Sequence, residues 1–282
     1  MGGKAGRSCA VATARLRSRS MDIENRIAII TGSAGGIGRE LALELARHRC
    51  IPVLLDVNED KLTGVLEEVR RHSPSSTAEV CDVADQVRTR EVVAAVRERH
   101  GSIDILVNNA AIMITKVFDE MPEEEFRLQM NVNFYGPVSM IRAVLPVMEK
   151  QGKGVIMNVA SVGGKLVVPG TGPYSASKAA LYAFSESLHY ELKDKGIHVG
   201  VVVPGGIRTG TMDSPGSKLG EYYGSQLKTP PAKISGSIRR AIEKERFETV
   251  VPFTARLLLC AHGAFPGLFR RMLLSRLRPY MR

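Results

Sequence analysis

Between Arg26 and His48 the chain runs through an apolar stretch (Ile27, Ala28, Ile29, Ile30), a turn dense in glycine (Gly32, Gly35, Gly36, Gly38) and a segment with Leu41 and Leu45 at helical spacing. The apolar stretch has the composition of a strand, and the leucines lie on one face of a helix. Glycines between two such elements mark a tight turn. A strand that enters a helix through glycines aims backbone N–H groups and the positive end of the helix dipole at one spot, which suits a pyrophosphate.

The alternation then repeats. Residues 51–56 form a second apolar run ending in Asp56, residues 60–72 are helix-like, 78–83 strand-like and 87–99 helix-like. A fourth strand ends in Asn108 and Asn109, and residues 122–149 read as a long helical region with an acidic start. Further strands are expected around residues 155–157, 197–204 and 247–252, with helices over 179–195 and 235–245 between them. Seven strands alternating with helices predict an α/β fold, a Rossmann-like, doubly wound and mostly parallel sheet with helices on both faces. A ligand of such a sheet lies across the carboxyl ends of its strands. Asp56, at one of those ends, can accept hydrogen bonds from both ribose hydroxyls and repels a 2′-phosphate, which favours NAD over NADP. Arg39 in the first helix is the residue that speaks for a phosphate.

The chemistry points to Ser161–Lys178. Tyr174 and Lys178 stand four apart, so on a helix they share a face. A phenol titrating near pH 10 is a poor base at neutrality, and a cation beside it favours the phenolate. Lys178 could thus make Tyr174 a working proton donor or acceptor, and Ser161, at the far end of a Gly-rich loop, could offer a hydroxyl to a substrate oxygen.

Ser161 followed by Tyr174-x-x-x-Lys178, together with Thr31-Gly32-x-x-x-Gly36-x-Gly38 and Asn108-Asn109-Ala110, resembles the short-chain dehydrogenase/reductase family. The likeness spans roughly residues 27–251, with the motifs in the family's order. It implies an NAD(P)-dependent oxidoreductase that interconverts an alcohol and a carbonyl by hydride transfer, of EC 1.1.1 type. Tyr174 would exchange the proton, Lys178 would lower its pKa and hold the nicotinamide ribose, Ser161 would orient the substrate, and Asn133 would hold a water in the relay. The cofactor residues implied are Gly32, Ser33, Gly36, Ile37, Gly38, Asp56, Asp82, Val83, Asn109, Ala110, Tyr174, Lys178, Pro204, Gly205, Ile207 and Thr209. Ala111 departs from the family's glycine, which costs little if its φ is negative. Family members are commonly homodimers or homotetramers.

Three segments follow: a basic extension (1–21), the NAD(P)-binding domain (22–252) and a basic tail (253–282). Of the net charge of +10, five positive charges fall in residues 1–20 and six in 249–282, with no acid in either. Removing those eleven leaves residues 21–248 at −1, which argues against nucleic-acid binding by the domain. The first twenty residues read either as a disordered tail or as an organelle-targeting segment. The four cysteines are scattered, suit neither a metal site nor a disulfide framework, and suggest an intracellular, reducing compartment, with Cys50 and Cys81 as buried thiols. Ile112, Met113, Ile114, Leu166, Val167 and Val168 are expected to face the substrate. Their apolar character leans toward a steroid, retinoid, prostanoid or fatty substrate, and residues 211–227 toward a mobile lid. The tail mixes Leu and Phe with Arg, is broken at Pro266-Gly267, and would suit either peripheral membrane contact or packing over the cleft. An NADP-dependent carbonyl reductase and a non-catalytic NAD(H)-sensing scaffold are the competing readings.

Overall fold

A computed structural model describes residues 21–206, 218–226 and 229–280. Among these, seven strands form one sheet: β1 (Ile27–Thr31), β2 (Ile51–Asp56), β3 (Thr77–Val80), β4 (Ile105–Asn108), β5 (Gly154–Val159), β6 (Ile197–Pro204) and β7 (Glu248–Val251). Their order is β3-β2-β1-β4-β5-β6-β7, and all six pairings are parallel. The sheet is therefore more uniform than the mostly parallel one expected. The winding direction reverses between β1 and β4, where a ligand crevice opens at the carboxyl ends.

Helices cover both faces, which is why the central strands are apolar without alternation. Ala28 and Ile30 point to one side, against Leu41 and Leu45 of α1 (Gly36–Arg47), Leu62 and Val65 of α2 (Glu59–Arg70), and Ile234 and Ile238 of α8 (Pro231–Glu243). Ile27 and Ile29 point to the other, where they share a core with Val92 and Val96 of α3 (Gln86–His100) and Met140 and Val144 of α5 (Gly136–Gln151). Leu188 and Leu192 of α6 (Gly172–Leu192) complete that layer. α8 lies beside α1, tied by Arg239 Nε donating to Glu44 Oε1 at 2.8 Å.

The helical region at 122–149 is divided. α4 (Glu123–Met130) passes through one wide π-helical turn, Asn131–Tyr135, before α5 begins. Such a turn leaves local backbone groups out of the regular ladder and re-aims the side chains within it. Of the expected lid, Lys218–Gln226 is a helix, α7, and residues 207–217 lie outside the described residues. The tail forms two helices, α9 (Phe253–Ala264) and α10 (Pro266–Leu277), parted where the sequence places Pro266. Residues 1–20, which hold the expected basic extension, lie outside the described residues. Cys50 and Cys81 are buried at strand margins, and burial pushes their thiols up to about 12 and about 11.

Two glycines in helices sit in opposite surroundings. A Cβ on Gly38 would lie 2.0 Å from the Gly32 carbonyl oxygen, whereas a Cβ on Gly64, in α2, would meet nothing within 4 Å. Gly38→Ala should therefore destabilise the fold by about 2 kcal/mol or more. Gly64→Ala should stabilise it by about 0.5–1 kcal/mol through helix propensity. Urea denaturation of the two variants checks the pair, and equal effects would mean that the turn yields without strain.

Candidate active site

The carboxyl ends of β1, β2, β4, β5 and β6 surround a cleft of about 660 Å³. Its floor is the β1–α1 turn, where Gly32 (φ +68°) and Gly36 (φ +54°) adopt the left-handed conformation that favours glycine. A Cβ on Gly32 would stand 2.8 Å from Ala110 Cα, so the turn and the end of β4 touch backbone to backbone. Thr31 Oγ1 accepts hydrogen bonds from the N–H groups of Asn109 and Ala110, each 3.0 Å, and Asn109 Nδ2 donates to the carbonyls of Thr31 and Gly32. Asn109 thus ties β4 to the glycine turn. The N-cap of α1 is Gly35, which has no side chain to cap the first-turn N–H groups. Gly35, Gly36 and Ile37 line the cleft, and a Cβ on Gly35 would meet only open space. Uncapped amides at a positive helix end, with room in front of them, fit a dinucleotide pyrophosphate.

Asp56 lines the same cleft. One carboxylate oxygen accepts from Ala34 N at 2.9 Å and the other from Asn58 N at 3.0 Å. Each oxygen retains a lone pair for a further donor. Arg39 is engaged elsewhere, paired with Glu40 and Glu68. Asn58 and Lys61 join Asp56 in the lining.

The sequence-selected residues divide by role. Gly32, Gly36, Ile37, Asp56, Asn109, Ala110, Ser161, Tyr174, Lys178, Pro204 and Gly205 line the cleft. Ser33 and Gly38 do not. Ser33 is fully buried, its N–H donating to Leu55 O and its hydroxyl to Ile30 O, so it locks the turn rather than facing a ligand. Asp82 and Val83 lie just past β3 outside the lining, Asp82 accepting from Ala84 N and Val83 packing against Gly136. Ile207 and Thr209 lie outside the described residues. Ala111 has no positive φ, consistent with its replacing glycine cheaply. Of the six residues expected to face substrate, Ile112, Met113, Leu166 and Val168 line the cleft, and Ile114 and Val167 do not.

Asn133 sits in the π turn, fully buried. Its Oδ1 accepts from Ile112 N and its Nδ2 donates to Ile112 O, both 2.9 Å, with a second contact to Ser177 Oγ at 3.2 Å. Its side chain clamps the segment after β4. Ser161 Oγ accepts from Gly163 N at 3.0 Å, and Ser161 lines the cleft together with Tyr174. Tyr174 lies in the first turn of α6 and Lys178 in the next. Lys178 is 2% exposed, and its Nζ donates to the Val159 carbonyl at 2.9 Å.

The electrostatics differ from the simple expectation. Burial lowers the Lys178 pKa to about 7, because the ammonium loses its hydration and gains no carboxylate. Burial likewise raises the Tyr174 phenol above its ordinary value, against a smaller pull downward from the Ser161 hydroxyl. Lys178 Nζ lies 6.0 Å from the Tyr174 ring centroid. A half-neutral lysine is then a weak source of field, and desolvation outweighs it. An ammonium with three donors and one protein acceptor is suited to further polar partners such as ribose hydroxyls.

Sequence reasoning missed several residues. Thr31 was visible only as part of the glycine motif. A buried ladder runs from Asn108 Nδ2 to Asn158 Oδ1, and from Asn158 Nδ2 to Ser185 Oγ, both 2.8 Å, joining β4, β5 and α6 beneath the site. Tyr223 of α7 and Leu258 of α9 also line the cleft, with Tyr223 Oη donating to Pro169 O. Nothing local marks Leu258, since it reaches the cleft from the tail.

Residues 26–219 match the family model described as short chain dehydrogenase. Among curated relatives, the zebrafish Danio rerio protein named dehydrogenase/reductase SDR family member 7B is 29% identical, covering 94% of this chain and 89% of its own. The Bacteroides thetaiotaomicron 3-ketodihydrosphingosine reductase is 34% identical, covering 68% of each chain. Among solved structures, a short chain dehydrogenase/reductase from Burkholderia phymatum in complex with NAD superposes with a TM-score of 0.82 at 22% identity, covering 88% of this chain and 96% of that one.

The burial of Lys178 yields a pH test. Below pH 7 the ammonium is charged whether folded or unfolded and carries its full desolvation cost. Between about 7 and the ordinary value of 10.5 it is neutral when folded and charged when unfolded, so stability rises with pH. The stability of the wild type relative to Lys178→Met should therefore increase by about 1–3 kcal/mol between pH 7 and 9. Denaturant titrations of both proteins at each pH check this, and a pH-independent difference would mean that Lys178 keeps its charge.

Proposed function

Because the chain belongs to the short-chain dehydrogenase/reductase family, we propose that it is an NAD-preferring oxidoreductase that interconverts an alcohol and a carbonyl on a hydrophobic substrate. The observation that carries the reading is the convergence of Ser161, Tyr174 and Lys178 in one cleft with the glycine turn and Asp56.

The dinucleotide, when bound, supplies the ring carbon that gives or takes the hydride. Gly35, Gly36 and Ile37 would hold its pyrophosphate, Asp56 its adenosine ribose and Lys178 its nicotinamide ribose. The Ser161 hydroxyl holds the substrate oxygen beside Tyr174. In reduction the Tyr174 Oη–H gives its proton to that oxygen as the carbonyl carbon gains hydride; in oxidation the phenolate takes the proton as the carbinol carbon loses hydride. The raised Tyr174 pKa keeps the phenol protonated at neutral pH, which suits the reductive direction. Asn133 keeps the Ile112 segment, one wall of the cleft, in place.

The substrate class is inferred from the lining. Ile112, Met113, Val162, Leu166, Val168 and Leu258 present hydrocarbon around Ser161 and Tyr174, with no charged side chain besides Lys178 at that end among the described residues. Such a surface favours a fatty, steroid, retinoid or prostanoid chain over a sugar or small acid. The name of the Bacteroides relative, a 3-ketodihydrosphingosine reductase, agrees with a lipid ketone. Preference for NAD rests on Asp56 and on the engagement of Arg39 with Glu40 and Glu68. Lys61 favours the second reading, an NADP-dependent carbonyl reductase, because it faces the same end of the cleft without a carboxylate partner among the described residues.

Tyr174→Phe should bind NADH as the wild type does and lose activity by about 10²–10⁴-fold. In the wild type, oxidation should accelerate as pH rises above neutrality while reduction stays level and then falls. Turnover by Tyr174→Phe, or oxidation that slows with rising pH, would remove Tyr174 from the proton-transfer role. Asp56→Ala should shift the NADH to NADPH affinity ratio toward NADPH by roughly tenfold or more, one lost charge repulsion at short range. Parallel fluorescence titrations measure it; an unchanged ratio would place discrimination elsewhere, with Lys61→Ala as the next variant.

A further inference from the structure

The helices α9 and α10 leave an unusual amount of hydrocarbon uncovered. Phe253 and Leu257 stand four apart on α9, Phe265 lies between the two helices, and Leu268 and Met272 fall on one side of α10, with Phe253 67%, Phe265 65% and Leu268 69% exposed. Large apolar side chains clustered at this exposure mark a surface that something covers. The charge around them has one sign. Arg256, Arg270, Arg271, Arg276 and Arg278 lie in the same two helices and the turn after them, residues 249–282 contain no Asp or Glu, and none of these five arginines pairs with a carboxylate among the described residues.

An apolar surface edged by arginines is complementary to hydrocarbon beneath a layer of negative headgroups. It does not suit a second copy of the same hairpin, which would bring arginines against arginines. Nor can it cross a bilayer as straight helices. Each helix has 12 residues, and the chain bends by 113° between them. Twelve residues span about 18 Å, against about 30 Å of hydrocarbon. The bend and the arginines distributed along both helices favour an interfacial position.

The hairpin is also joined to the site. Leu258 of α9 lines the active-site cleft, and a second cavity of about 230 Å³ lies between α10 and the loop after Ser161. That cavity is lined by Lys165, Val167, His262, Phe269, Arg270 and Leu273, and Leu166 contributes to both cavities. Leu166 therefore links the two cavities, and the hairpin reaches them through Leu258, Phe269 and Leu273.

We infer that α9 and α10 form an interfacial anchor that lays the cleft mouth on an anionic lipid surface, from which a hydrophobic substrate enters. The docking rests on the hairpin alone. Only the entry route rests on the substrate reading given above.

The chain contains no tryptophan, so a Leu268→Trp variant carries a single reporter. Full-length protein is mixed with vesicles of phosphatidylcholine alone, or of phosphatidylcholine with phosphatidylglycerol, at low and high salt. Emission should shift to the blue, and the protein should float with the vesicles, only in the anionic mixture and at low salt. Binding there should be roughly tenfold or more above the neutral case. Arg271→Glu with Arg276→Glu, and separately Leu268→Asp with Met272→Asp, should each abolish flotation while NADH binding persists, which reports an intact fold. Absence of flotation and of any blue shift would overturn the inference. So would a blue shift that follows protein concentration without lipid, with sedimentation showing a larger species, since a second copy would then cover the face. These readouts need no substrate, so an error in the substrate class leaves them unaffected.

Discussion

The site depends on a close backbone approach. The turn after β1 lies against the end of β4 with no side chain between them, because Gly32 and Gly38 have none to place there. Thr31 and Asn109 then close the contact with four hydrogen bonds between the two strand ends. The positive end of α1 faces the crevice only while that contact holds. The neighbouring strands β2 and β5 take their register from β1 and β4, so Asp56 and Ser161 are carried to the same edge by ordinary parallel pairing.

Beneath that edge the molecule buries polar groups that a purely structural core would avoid. Lys178 gives up most of its hydration for one carbonyl partner, and Asn108, Asn158 and Ser185 form a ladder whose members would be costly to strand singly. Such arrangements persist where position matters more than stability. The ladder joins β4, β5 and α6, which carry the Asn109 turn, Ser161, and the Tyr174–Lys178 pair respectively. The wide turn at Asn131–Tyr135 has a related effect, since it turns Asn133 away from a helical face and onto the backbone of Ile112.

The other wall of the cleft comes from residues distant in sequence. Tyr223 approaches from α7 and Leu258 from α9, so the apolar end of the site is shaped by segments outside the repeating strand–helix frame. The two ends of the cleft therefore answer to different constraints. The cofactor end is set by glycine turns and strand ends, and the substrate end by appended helices that can vary without disturbing the sheet.

The α/β class, the strand count and most cleft-lining residues were legible in the sequence because they depend on local physics. Glycines mark where the backbone must turn, apolar runs mark strands, and four-residue spacing puts Tyr174 and Lys178 on one helical face. What the tertiary structure decided are properties of the surroundings. Ser33 and Gly38 belong to the glycine motif, yet burial and close packing assign them to the turn itself. Lys178 reads as a permanent cation until its desolvation, which comes from the whole domain closing over it, lowers its pKa to about 7. Asn158, Ser185 and Leu258 carry no motif, because hydrogen bonds and contacts between elements far apart in the chain have no signature within any short window of sequence.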